Sequence, residues 1–113
     1  MSNEEKQIIS QFKKMLENNV SLLELRLFGS RAKKKGSEYS DYDFFIVIET
    51  KTPEMMMKIR DIAWEIAFEH NTFINTVVCS RKEMKGRMKN SLIYQLVTRE
   101  GISLWSLMKD KNS

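Results

Sequence analysis

Five consecutive apolar residues, Phe44-Phe45-Ile46-Val47-Ile48, restrict the fold more than any other stretch of this chain. A strand sends successive side chains to opposite faces, so an unbroken apolar run needs cover on both. The run therefore demands a sheet with helices above and below it, and the sequence on either side supplies them. Ile8, Ile9, Phe12, Met15 and Leu16 recur at helical spacing behind a cap at Ser2 or Asn3, with Glu4 and Glu5 favourably placed in the first turn. Leu22 to Phe28 alternates as a strand, with Leu23, Leu25 and Leu27 on one face and Glu24 and Arg26 on the other.

After the central run, Thr52-Pro53 opens a helix expected to reach Glu69 and to bury Met56, Ile59, Ile62, Ala63, Ile66 and Ala67. The run Met55-Met56-Met57 reads as adaptable core filler. His70-Asn71 closes this helix, and Thr72 to Cys79 is a third strand. Ser80 and Glu83 stand at capping-box spacing before a short basic helix. Ser91 caps the last helix, with Leu92, Ile93, Leu96 and Val97 inward and Gly101 as its stop. Ile102 to Trp105 packs as an edge segment. The expected architecture is α/β, a small mixed three-stranded sheet flanked by helices. The crossover helix makes the second and third strands parallel, and the shorter spacer makes the first two antiparallel.

Residues 29–40 carry no hydrophobic period and form a loop, holding Gly29, Ser30, Gly36 and the run Lys33-Lys34-Lys35. Asp41 and Asp43 then enter the central strand at alternate positions, on one face. An aspartate just inside a strand covered on both faces is costly unless paired or metal-bound. Hard divalent ions such as Mg2+ take carboxylate oxygens and share them with substrate phosphates. The Gly29-Ser30 turn offers backbone N–H groups and a hydroxyl suited to phosphate oxygens. Gly29, the start of the second strand and the start of the third are expected to meet at one edge, as a site for a metal–nucleoside triphosphate.

The Gly-Ser turn, a spacer of about ten residues and an Asp-x-Asp entering an apolar strand resemble the DNA polymerase beta-like nucleotidyltransferase superfamily. The chain is most similar to its small branch, the minimal nucleotidyltransferases (MNT) paired with HEPN-domain proteins, and the closing Arg99-Glu100-Gly101-Ile102-Ser103-Leu104-Trp105 fits that branch as well. The resemblance implies a nucleotidyltransferase fold across residues 1–113 as one domain. It implies that Asp41 and Asp43 are catalytic and hold Mg2+, two ions in an active enzyme, and that Gly29, Ser30 and Arg31 grip the phosphates of ATP. It also implies a helical HEPN-type partner, a toxin neutralised by AMP transfer to a tyrosine. Many active relatives carry a third acid in the third strand. Here that position falls on Asn75, with Thr76 next, and an amide cannot serve as a carboxylate base. An alternative is therefore a catalytically weak or inactive nucleotide-binding subunit that acts by binding its partner. A third reading is a small-molecule adenylyltransferase of the aminoglycoside-modifying type.

Composition removes other classes. One cysteine, Cys79, excludes an internal disulfide and agrees with a cytoplasmic location. One histidine, His70, argues against zinc or a Ser-His-Asp triad. The apolar runs are too short to span a membrane. A net charge of +4 favours anionic partners only weakly, and the basic stretch Lys82, Lys85, Arg87 and Lys89 lacks the interleaved aromatics of a stacking surface, so nucleic acid is not favoured. A chain of 113 residues covers little beyond a catalytic core, so the acceptor surface is expected from a second chain.

Overall fold

A computed structural model of the chain describes residues 1–29, 32 and 41–106. In chain order these hold α1 (Asn3–Asn19), β1 (Leu22–Phe28), β2 (Tyr42–Ile48), α2 (Pro53–Glu69), β3 (Ile74–Ser80), α3 (Arg81–Lys85), a 3₁₀ turn (Arg87–Asn90), α4 (Leu92–Glu100) and β4 (Ile102–Ser106). The sheet has four strands, not three, in the order β3-β2-β1-β4. Ile102 to Ser106 is a full edge strand antiparallel to β1, with Ile102 opposite Leu27 and Trp105 opposite Leu25. β1 and β2 are antiparallel and β2 and β3 parallel, as expected.

Both faces of β2 are covered. Tyr42, Phe44, Ile46 and Ile48 pack with Ile8, Phe12 and Leu16 of α1 and Ile59, Ile62 and Ile66 of α2. Phe45 and Val47 belong to the opposite layer, with Met84, Val97 and Cys79. Phe44 packs against Phe12 with the rings tilted and their centroids 4.5 Å apart, and Phe45 meets Tyr94 of α4 at 5.8 Å. Burying each such side chain is worth about 1.5–3 kcal/mol, which explains why the central strand holds the two layers together.

The helices begin where their caps predict. Ser2 Oγ accepts from the Glu5 N–H and Glu5 Oε1 accepts from the Ser2 N–H, so Ser2 rather than Asn3 is the cap. Thr52 caps α2 through the Met55 N–H, and Pro53 takes the first turn, where its missing donor costs nothing. Asn71 takes a positive φ of 52° beyond α2, a conformation that asparagine tolerates.

Three details depart from the periodicity. A bulge at Leu23, between the pairs Leu22–Ile48 and Glu24–Val47, shifts the phase of β1. Leu23 therefore joins the α4 layer, while Leu25 and Leu27 join the α1–α2 layer. Glu24, opposite Val47, follows Leu23 onto the α4 face, where it is 4% exposed and its carboxylate is satisfied by Arg26. Met56 is exposed and Met55 packs inward, because Met55, Ile59, Ile62 and Ile66 make the better helical stripe. Leu92 is exposed at the first turn of α4, where Ile93, Tyr94 and Val97 face the core instead. Among the described residues no helix is long and apolar enough to cross a membrane.

Candidate active site

The site forms where β1 ends and β2 and β3 begin. Directly opposite residues in a sheet share a face, so the pairings Phe28–Asp43 and Asp43–Asn75 put Asp43, Phe28 and Asn75 on the α4 side. One amide spans both carboxylates: Asn75 Nδ2 lies 3.1 Å from Asp41 Oδ2 and 3.0 Å from Asp43 Oδ1. Its two hydrogens can each be donated to one acid, which offsets their mutual repulsion. Asp41 and Asn75 are exposed and Asp43 is half-buried, so the pair is open to ligands.

Gly29 completes the wall. Its φ is +78°, in the left-handed region that favours glycine, and the Asp43 carboxylate occupies the space a Cβ would fill. The end of β1 is thus glycine for two reasons, turn geometry and contact with Asp43. Ser30, Arg31 and Lys33-Lys34-Lys35 lie outside the described residues.

Two carboxylates and a neutral amide are the donors at this point. Mg2+ is usually bound by one or two carboxylates plus phosphate oxygens and water, so the set fits a cation that arrives with a polyphosphate. Among the described residues no group of three His, Cys, Asp or Glu side chains is placed to hold a metal ion. Glu69 does not supply a third acid, because its carboxylate accepts from Gln11 Nε2 at 3.0 Å, at the α1–α2 contact. Register also separates the two candidates in β3. Asn75 faces the acids, whereas Thr76 is paired with Phe44 on the other face.

A separate group of charges stands at the far end of β2 and β3. Arg81 makes a bidentate pair with Glu49 at 2.8 and 3.1 Å, which holds the Glu49 carboxyl below its ordinary value and raises Arg81. Burial pushes the Cys79 thiol up to about 11, against a small lowering by Lys51. Sequence reasoning singled out Asn75 as a missing acid but not as a bridge, since bridging needs the strand register. It also passed over Trp64, Phe68 and Phe73, which stand exposed on and beside α2. Their only signal was their absence from the buried stripe.

A mixed sheet with paired acids at the start of its central strand and a glycine turn packed against them is the nucleotidyltransferase fold. Residues 8–105 match the nucleotidyltransferase domain family, and the chain belongs to that family. No curated protein sequence matches it. Among solved structures, a toxin–antitoxin with AMP-PNP superposes with a TM-score of 0.67 at 20% identity, covering 89% of this chain and 75% of the other. A tri-AMPylated Shewanella oneidensis HEPN toxin in complex with its MNT antitoxin gives 0.60 at 18% identity, over 89% and 71%. The spectinomycin adenyltransferase AAD(9) of Enterococcus faecialis, with ATP and spectinomycin, gives 0.64 at 19%, over 90% and 56%. At these identities the likeness concerns the fold.

Proposed function

We propose that residues 1–113 form one minimal nucleotidyltransferase domain that transfers AMP from ATP to a HEPN-type partner protein, acting in the cytoplasm as an antitoxin. The observation that carries this reading is the convergence of Asp41 and Asp43 on one face, with Gly29 packed against Asp43. The likeness to a toxin–antitoxin with AMP-PNP and to an AMPylated HEPN toxin with its MNT antitoxin supports the choice of donor and partner.

In the reaction, a hydroxyl oxygen of the partner attacks the α-phosphorus of ATP. The new P–O bond forms as the α–β bridging bond breaks, pyrophosphate leaves and the hydroxyl proton is released. Asp41 and Asp43 would hold Mg2+, which when bound neutralises charge on the phosphates and the departing oxygen. Gly29 lets the chain turn tightly beside Asp43, and Ser30 and Arg31 follow it as the phosphate-gripping residues. The Asn75 amide keeps the two carboxylates together but cannot accept the proton. Among the described residues at the site, only the two aspartates can.

That limit favours a second reading, a weakly active subunit that binds nucleotide and partner. Calorimetric titration with ATP, with and without Mg2+, tests the site. Binding should require Mg2+ and should lose that requirement, with most of its affinity, in Asp41→Ala plus Asp43→Ala. Equal affinity with and without the metal, unaltered by the double substitution, would overturn both readings. Labelled-ATP transfer to the co-expressed partner then separates enzyme from binding subunit.

A further inference from the structure

A groove of about 550 Å3 opens on the α2 side of the sheet, across β3 from the paired acids. Arg60, Trp64 and Phe68 of α2 form one wall and Phe73, Ile74 and Thr76 the other. Trp64 is 69% exposed, Phe68 83% and Phe73 71%. Three large aromatics standing in water around one concavity are costly for a surface without a partner.

The floor of this groove is an open sheet edge, because β3 is the last strand on its side. The Tyr42 N–H bonds Phe73 O at 2.9 Å, which sets the parity of the parallel ladder. Phe73, Asn75 and Val77 turn their backbone groups toward β2, and Ile74, Thr76 and Val78 turn theirs outward. Farther along, this edge is closed by side chains. Lys51 Nζ donates to Val78 O at 3.1 Å, and the Ser80 N–H is taken by Glu83 at 2.9 Å. Among the described residues nothing closes it at Ile74 and Thr76, where the aromatics stand.

We propose that this groove docks an extended, largely apolar segment carrying an acidic side chain, contributed by the acceptor protein and added as a strand along Ile74–Thr76. The backbone groups of Ile74 and Thr76 recognise a strand, the aromatics take its alternate side chains, and Arg60 takes the acid. Arg60 is the charged residue lining the groove and has no carboxylate partner among the described residues. A second copy pairing through its own β3 would bring Ile-Asn-Thr-Val-Val-Cys-Ser, which has no acid to meet Arg60. Asn75 sits between Ile74 and Thr76 and reaches to Asp41 and Asp43, so a strand bound there is separated from the paired acids by β3 alone. The identity of the occupant as acceptor rests on the proposed transferase reading; the docking surface does not.

The test uses the isotopically labelled full chain and a terminally blocked seven-residue peptide, alternating valine and threonine around a central glutamate. Amide signals of Ile74 and Thr76 should shift and their hydrogen exchange should slow on titration. Replacing the glutamate by lysine, N-methylating alternate peptide nitrogens, or introducing Phe68→Glu should each weaken binding roughly 10-fold. Phe68→Glu should leave the Mg2+–ATP titration unchanged. Asp41→Ala plus Asp43→Ala should abolish that titration yet leave the peptide bound, so failure of the nucleotide site and failure of the docking surface are distinguishable. Equal binding of the N-methylated peptide, or shifts that avoid Ile74 and Thr76, would overturn the proposal. So would a doubling of sedimenting mass that Phe68→Glu reverses, since the groove would then be an interface between copies of this chain.

Discussion

On the proposed reading, transfer activity turns on Asn75. Its amide hydrogens hold Asp41 and Asp43 together at 3.1 and 3.0 Å, and it adds no charge. Asn75→Asp should replace that bridge with a third carboxylate, tightening Mg2+ binding and providing a base for the acceptor hydroxyl. General-base catalysis contributes on the order of 100- to 10,000-fold, so labelled-AMP transfer should rise toward that range with little change in ATP recognition. Without metal the same variant should be less stable than the native chain, because three carboxylates then crowd one face. Thr76→Asp should give no gain in transfer, since Thr76 is paired with Phe44 on the opposite face. A native protein already faster than Asn75→Asp would show that another group takes the proton.

At the scale of elements, the junction of β3 and α3 carries a separable part of the stability. Ser80 Oγ accepts from the Glu83 N–H at 3.1 Å and Glu83 Oε1 accepts from the Ser80 N–H at 2.9 Å, a complete capping box. Ser80→Ala should cost about 1 kcal/mol in urea unfolding. The Glu83 carboxyl is held below its ordinary value, chiefly by the Ser80 N–H, with burial opposing that effect and Lys51 lowering it further. Its folded pKa is below its unfolded one, so its contribution is complete above about pH 4.3 and is lost as pH falls through the folded value. Glu83→Gln should therefore lower stability at pH 7 and make the decline below that pH shallower. Unfolding curves at pH 7 and pH 3 check both signs.

At the scale of the whole molecule, the two apolar layers meet through β2, and Cys79 reports on their separation. It is 1% exposed, and its thiol is pushed up to about 11, chiefly by burial. At pH 7 it should resist a thiol reagent in the native chain and react fully in denaturant. Its labelling rate across intermediate urea should follow the fraction unfolded measured by fluorescence. Rapid labelling in native buffer would mean that the α4 layer opens independently of the rest.

Local chemistry alone determined most of the elements of this protein. The caps at Ser2, Thr52, Ser80 and Ser91 and the apolar run of β2 are decided by neighbours within four residues, which a sequence displays directly. Asp41 and Asp43 were legible for the same reason, since strand alternation places them on one face. The Leu23 bulge, the burial of Glu24 and the fourth strand were not, because each depends on a partner strand far along the chain. Asn75 shows the boundary most clearly. Its residue type ruled out a carboxylate at once, but its reach to both aspartates exists only in the β2–β3 register. The groove belongs wholly to the tertiary structure. Trp64 and Phe68 became a surface only when Ile59, Ile62 and Ile66 turned inward and β3 was left with an open edge.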